Sequence, residues 1–213
     1  MLYKDRTDAA QKLLPYLKKY RHEDCLFMAI PRGGIPIAYQ LAKHYHFPLH
    51  VLMAKKIGHP WNPELAIGAV SLEDAIVDKH HLIPQPYIDN AIKQIRESLS
   101  ARYKKLIGKE MGYPLSNKTI IIVDDGIATG NTILAAIKLI QKRHPGKIIV
   151  ASPVAPVETS EKIKKLVDEF ICPNQISNFS GVSMYYQDFS EVTDDEAIQL
   201  LLELNREKET VQK

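Results

Sequence analysis

Two adjacent acidic residues, Asp124 and Asp125, stand between an apolar run at residues 119–123 and a stretch of small and hydroxylated residues. Carboxylates repel phosphate, but a pair of them is suited to accept hydrogen bonds from vicinal hydroxyls such as those of ribose. Backbone N–H groups between a strand and the start of a helix lack a partner in the helix, and they hold a phosphate dianion with the helix dipole behind them. Gly130 lets the backbone approach a phosphate closely, and Thr129 and Thr132 can add hydroxyl donors; further candidates for binding the substrate are Gly126, Ala128 and Asn131. Together the two features predict a site for a 5-phosphorylated ribose.

Other nucleotide and hydrolase motifs do not occur in this sequence. A Walker A loop requires Gly-Lys-Ser/Thr, and a dinucleotide-binding turn requires GxGxxG after a strand; neither is found. The Gly-x-Ser-x-Gly elbow of α/β hydrolases is missing as well. A lone Asp-Asp-Gly would favour an acidic turn before a threonine-capped helix, whereas the whole string at residues 122–132 favours a ligand site.

The string at residues 123–132 resembles the signature with which type I phosphoribosyltransferases bind 5-phosphoribosyl pyrophosphate (PRPP). The resemblance implies that Asp124 and Asp125 hold the ribose hydroxyls and that residues 128–132 hold the 5′-phosphate. It also implies Mg²⁺ as cofactor, bridging pyrophosphate and ribose oxygens, with the two aspartates as indirect metal partners through hydroxyls or water.

A second glycine turn, Pro31-Arg32-Gly33-Gly34, follows the first apolar run. In the family that it resembles, the equivalent loop binds pyrophosphate through its amides and often contains a cis non-proline peptide. We therefore expect Arg32, Gly33 and Gly34 to hold the leaving group, with the Arg32 guanidinium adding a charge-assisted contact.

Two lysines, Lys55 and Lys56, are predicted to end the second strand at the same edge of the sheet. One of them would neutralise pyrophosphate there. The alternative is a solvated surface pair, which is the more common fate of adjacent lysines.

Two further segments, residues 55–70 and 179–189, resemble a narrower group of predicted bacterial phosphoribosyltransferases. The resemblance implies a loop that closes over the site at about residues 55–85 and a hood at about residues 173–190. Closure would exclude water from a reactive ribosyl cation.

Glu64 is a candidate to orient an acceptor or to act as base. Trp61, Tyr185 and Tyr186 are candidates to stack on a planar acceptor, with Tyr185 the best of them and packing in the core the alternative for each.

The acceptor is not identified by these residues. Enzymes for hypoxanthine and guanine resemble this chain but place an acid immediately before the Thr-Gly pair, where this chain has Ala128. Adenine- and uracil-type members tolerate alanine there, so we expect a nitrogenous acceptor, most simply a nucleobase. The alternative is a regulator that binds PRPP or a nucleotide without turnover, because binding and catalysis use the same loops.

The order of the predicted elements places these turns at one edge of a sheet. Strands are predicted at residues 25–30, 49–54, 119–123, 147–152 and 170–172, and helices at residues 8–20, 35–45, 88–106, 132–143, 159–167 and 194–206. This alternation predicts a doubly wound α/β fold with a mostly parallel sheet, and a single domain over residues 1–213. Ligands of such folds bind at the carboxyl ends of the strands.

The composition is that of a globular protein with 45% hydrophobic and 25% charged residues among 213. A net charge of +3 without a basic stripe argues against nucleic acid, and no apolar run approaches the roughly 20 residues that span a bilayer. We expect a cytoplasmic protein and a homodimer, with Cys25 and Cys172 as buried free thiols. The histidines His44, His46, His80 and His81 are expected at the surface.

The ribose assignment gives a direct prediction for Asp125→Asn. The substitution removes a charge-assisted contact of about 1.5–3 kcal/mol, so the affinity for PRPP should fall roughly 10- to 150-fold in a calorimetric titration. An unchanged affinity would rule out this role for Asp125.

Overall fold

Five parallel strands form the central sheet, in a computed structural model that describes residues 2–78, 83–107 and 114–211. The strands are β1 (Cys25–Ala29), β2 (Leu49–Val51), β6 (Thr119–Val123), β7 (Lys147–Ala151) and β9 (Glu169–Ile171). Their order across the sheet is β2-β1-β6-β7-β9. Every neighbouring pair is parallel, which requires a crossover connection between the strands and places all carboxyl ends at one edge.

Helices cover both faces of this sheet. They are α1 (Arg6–Leu17), α2 (Gly34–Tyr45), α3 (Gln85–Ile107), α4 (Asn131–Gln141), α5 (Val157–Lys164) and α6 (Asp194–Val211). Alternate residues of β6 serve opposite faces: Ile121 and Val123 pack with α1, α2, α3 and α6, whereas Ile120 and Ile122 pack with α4 and α5. All five residues of β6 are buried, as their continuous β-branched composition requires. The predicted doubly wound α/β fold is confirmed.

A second, antiparallel sheet packs between helices α3 and α4. It consists of β3 (Ala54–His59), β4 (Asn62–Ser71) and β5 (Ala75–Val77). Ile57, Ile67 and Val70 pack against α3, and Ala69 packs against α4. Since both faces are covered by helices, this insertion is a packed part of the core rather than an irregular loop.

The predicted strand over residues 49–54 was wrong in its second half. β2 ends at Val51, and Ala54 begins the antiparallel strand β3. Lys55 and Lys56 therefore lie opposite Val70 and Ala69 of β4 and do not end a strand of the parallel sheet.

The hood at residues 173–190 is joined to the beginning of the chain. β10 (Asn174–Ile176) pairs in parallel with β8 (Val154–Pro156), and a 3₁₀ turn follows at Val182–Tyr185. Beyond it, the N–H groups of Gln187 and Asp188 donate to the carbonyls of Tyr3 (2.9 Å) and Lys4 (2.8 Å). The first residues of the chain thus run beside the hood and form an isolated parallel bridge with it at Tyr3 and Tyr186.

Other expectations concern single residues. Cys25 and Cys172 are buried free thiols, and burial raises the pKa of each to about 12. His44 and His46 are exposed, whereas His80 and His81 lie outside the described residues. Within the described ranges, no helix combines the length and the apolar composition needed to cross a bilayer.

The packing of the insertion predicts that it contributes to global stability. Ile67→Ala removes a fully buried side chain between α3 and the insertion, so the free energy of unfolding should fall by about 2–5 kcal/mol. Leu65→Ala on the same strand, where the side chain is exposed, should change it by less than about 0.5 kcal/mol. Urea titration of both variants measures the difference, and equal effects would contradict the packed insertion.

Candidate functional site

The two glycine turns meet at the carboxyl edge of the sheet. β1 and β6 are neighbours, and the N–H of Ile30 donates to the carbonyl of Val123 at 2.9 Å, which holds the two turns side by side. A Cβ atom on Gly33 would lie 2.0 Å from Asp125 Oδ2, and one on Gly34 would lie 2.5 Å from the Val123 carbonyl oxygen. The first turn therefore lies directly against the acidic pair. Only glycine permits backbone atoms to come this close to Asp125 and to the Val123 carbonyl.

The first turn offers donors from its backbone. The Pro31–Arg32 peptide is cis, as the resemblance implies for this loop. Among the described residues, the N–H groups of Arg32 and Gly33 donate to no acceptor, whereas that of Gly34 donates to the Ile30 carbonyl at 3.0 Å. Two backbone donors are thus available beside Asp125.

The guanidinium of Arg32 lies elsewhere. It pairs with Glu191 and, at 3.5 Å, with Asp194 at the start of α6. The expected charge contact from Arg32 to a leaving group would require this side chain to exchange those partners.

The second turn has the form of an anion cradle. Gly130 adopts a φ of +76° immediately before α4, and a Cβ there would lie 2.6 Å from Thr159 Cγ2. Thr159 fixes the turn further by donating to the Ala128 carbonyl at 2.9 Å. Within the described chain, no N–H of residues 128–132 donates a hydrogen bond, and Ala128, Thr129 and Thr132 are exposed. Unpaired donors at the N-terminus of an eleven-residue helix are suited to bind a phosphate dianion.

The acidic pair carries an electrostatic cost. Burial, followed by the charge of Asp125, raises the pKa of Asp124 well above its ordinary value of 3.8. Burial also raises the pKa of Asp125, with opposition from the guanidinium of Arg6. The backbone N–H of Asp125 donates to Asp124 Oδ1 at 3.0 Å, which fixes the Asp124 side chain against the backbone of the next residue.

Arg6 is a site residue that the sequence did not reveal. Its Nε and Nη2 both lie 2.8 Å from Asp125 Oδ2, although 119 positions separate the two residues. Arg6 occupies the first position of α1, and no local sequence pattern marks it as a partner of a distant carboxylate.

The hood contacts the second turn at Asp125 and Gly126. Tyr186 donates its hydroxyl to the Asp125 carbonyl at 2.6 Å, and a Cβ on Gly126 would lie 2.2 Å from Val182 Cγ1. Tyr185 is half-buried and stacks on Phe179 with ring centroids 5.4 Å apart. An aromatic pair therefore lies in the hood close to the acidic turn.

The other aromatic candidates differ from each other. Tyr186 is only 2% exposed, so for this residue the structure shows the alternative of packing in the core. Trp61 is 78% exposed in the turn between β3 and β4, beside the ring of His59. The side chain of Glu64 lies outside the described residues.

Comparison with known proteins decides the family. A model described as "Phosphoribosyl transferase domain" matches residues 2–188. This chain belongs to the phosphoribosyl transferase family.

Individual relatives agree with that assignment. A protein of Mycobacterium tuberculosis named as a predicted phosphoribosyl transferase is 31% identical over 97% of this chain and 48% of its own length. The chain thus spans about half the length of the curated relatives that it matches over most of its residues. The crystal structure of TT1426 from Thermus thermophilus is 30% identical, with a TM-score of 0.89 over 96% of this chain and 99% of that one. A uracil phosphoribosyltransferase of Mycoplasma genitalium is 41% identical over 66 residues, which is 30% of this chain.

The raised pKa of Asp124 predicts a stability that depends on pH. The folded chain holds this proton more tightly than the unfolded chain, so stability falls as the pH rises above the ordinary value of 3.8. Asp124→Asn removes the ionisation and should raise the thermal unfolding midpoint at neutral pH without ligand, with the gain vanishing near pH 3.

Asp188→Asn provides a control of opposite sign. Hydrogen bonds from Ser190 lower the pKa of Asp188, so its contribution is present above the ordinary value and is lost as the pH falls. This variant should show no gain at neutral pH. An Asp124→Asn protein that melts at or below the native temperature would contradict the strained acidic pair.

Proposed function

We propose that this protein transfers the 5-phosphoribosyl group of PRPP to a nitrogenous acceptor and releases pyrophosphate. The observation that carries the proposal is the contact between Gly33 and Asp125, which places the first glycine turn against the acidic pair that leads into the second turn. PRPP presents its groups in the same order, with a phosphate and a pyrophosphate on either side of a ribose diol.

Each part of the site has a role in this proposal. The N–H groups of residues 128–132 bind the 5′-phosphate, and Thr129 and Thr132 add hydroxyl donors. Asp124 and Asp125 accept hydrogen bonds from the ribose hydroxyls. The N–H groups of Arg32 and Gly33 stabilise the charge that develops on departing pyrophosphate, because preorganised donors act most strongly where charge appears in the transition state.

The carboxylates fit a role beside Mg²⁺. This cation prefers oxygen ligands in octahedral geometry and is held mainly through substrate phosphates and water. Asp125 Oδ2 is engaged by Arg6, so Asp125 Oδ1 and the carboxylate of Asp124 are the protein oxygens that would hold the cation, directly or through hydroxyls. When bound, Mg²⁺ neutralises charge on the pyrophosphate.

The acceptor is proposed to be a nucleobase. Ala128 is exposed at the position where an acid would serve a ring nitrogen of hypoxanthine or guanine, which disfavours those two bases. The short match to a uracil phosphoribosyltransferase supports a pyrimidine as the first base to test. Tyr185, on its Phe179 partner, is the proposed stacking platform. Lys55 and Lys56 stay predictions as pyrophosphate ligands.

The organisation of the chain is part of the proposal. We take residues 1–213 as one phosphoribosyltransferase domain with an insertion near residues 55–85 and a hood near residues 173–190. A homodimer and a cytoplasmic location stay expectations.

Turnover distinguishes an enzyme from a regulator that only binds PRPP. Purified protein with PRPP, Mg²⁺ and one base at a time should release pyrophosphate with at least one of uracil, adenine, hypoxanthine and guanine. Hypoxanthine and guanine should be the poorer pair. Asp125→Asn, assayed in parallel, should lose most of the rate. Binding of PRPP without release with any acceptor would indicate a regulator.

A further inference from the structure

We propose that Arg6 is a positioning residue that fixes the carboxylate of Asp125 for ribose and ties the hood to it. The consequence for ribose rests on the proposed function, whereas the link to the hood does not. Arg6 contacts the carboxylate of Asp125, the backbone of the hood at Ser190 and the aromatic ring of Phe189.

The contact with Asp125 is geometrically restrictive. Two nitrogens of one guanidinium, Nε and Nη2, bind the same oxygen, Oδ2, at 2.8 Å each. Gly33 lies against the same carboxylate, since a Cβ there would be 2.0 Å from Oδ2 and 2.7 Å from Oδ1. The carboxylate lies between the glycine turn and the guanidinium and cannot rotate without losing these contacts. Oδ1 is thereby left for a ligand in a fixed orientation.

The contact is also well shielded from solvent. The side chains of Arg6 and Asp125 are each only 12% exposed, so the ion pair is screened much less than a surface pair. The guanidinium carbon lies 4.2 Å from the centre of the Phe189 ring, which covers its face. A buried carboxylate requires such a partner, because an unpaired charge there would be strongly destabilising.

The third nitrogen of Arg6 binds the hood. Nη1 donates to the Ser190 carbonyl at 2.8 Å, while Phe189 packs on Tyr186, whose hydroxyl donates to the Asp125 carbonyl. Arg6 and Tyr186 thus connect the hood to the side chain and to the backbone of the same aspartate. Displacing the hood would disturb Asp125, and releasing Asp125 would loosen the hood.

These contacts argue against a direct role of Arg6 on substrate. Each of its three nitrogens has a protein partner, and its face is occupied by Phe189. Lysine at this position would keep the charge but would lack the planar fork that binds Oδ2 and Ser190 at once.

Titration calorimetry with two probes tests the positioning role. Arg6→Gln should weaken binding of PRPP with Mg²⁺ by about 10- to 100-fold, while binding of pyrophosphate with Mg²⁺, which has no ribose, should change less than about twofold. Arg6→Lys should recover part of the PRPP affinity. Arg21→Gln removes an exposed arginine four residues beyond the end of α1 and should bind both probes as the native protein does. Native-like PRPP binding by Arg6→Gln, or an equal loss for both probes, would overturn the positioning role.

Hydrogen exchange of the ligand-free protein tests the link to the hood independently of PRPP. Arg6→Gln and Asp125→Asn break the same contact, so both should accelerate exchange of the Gln187 and Asp188 amides by about tenfold or more, and Arg21→Gln should not. Unchanged exchange in Arg6→Gln would overturn the link. If native protein failed to bind PRPP, the proposed function would fail, and this measurement would still decide whether Arg6 connects the hood to Asp125.

Discussion

Two adjacent carboxylates at the end of a fully buried strand impose the constraint around which this structure is arranged. Burial raises the pKa of both Asp124 and Asp125, and the charge of Asp125 raises that of Asp124 further. The fold tolerates them because Arg6 pairs with one and a backbone N–H binds the other. The proposed function uses these oxygens, held in a fixed place, to bind a diol, and it thereby accounts for charges that lower the stability of the fold.

The elements around Asp124 and Asp125 are arranged so that both carboxylates have partners. Parallel strands bring the ends of β1 and β6 together, and glycines at both turns allow backbone to approach the carboxylates closely. Within the described residues, both turns then carry backbone N–H groups that donate to no protein acceptor. The hood closes the arrangement through Tyr186 and Val182, and the beginning of the chain pairs with the hood and supplies Arg6. The site therefore draws on residues from both ends of the chain.

The sequence predicted what is encoded in contiguous residues. The β-branched run of β6 and the small residues before α4 follow each other directly along the chain, so their composition identified strand, turn and helix. Contacts over long separations were not predictable in this way. Arg6 meets Asp125 only because α1 and the hood fold over the sheet, and Tyr186 rather than Tyr185 is buried because it pairs with Tyr3. The end of β2 was not predictable from the apolar run before Lys55, because Leu52 and Met53 are apolar and buried although they lie beyond the strand.

Calorimetric titration of the native protein with PRPP, in the presence and absence of Mg²⁺, tests the central claim most directly. The arrangement of two donor cradles around one acidic pair predicts binding in the micromolar range that depends on Mg²⁺. Absence of heat, together with an unchanged thermal unfolding midpoint at millimolar PRPP, would contradict the claim that this site binds a phosphorylated ribose with a pyrophosphate leaving group.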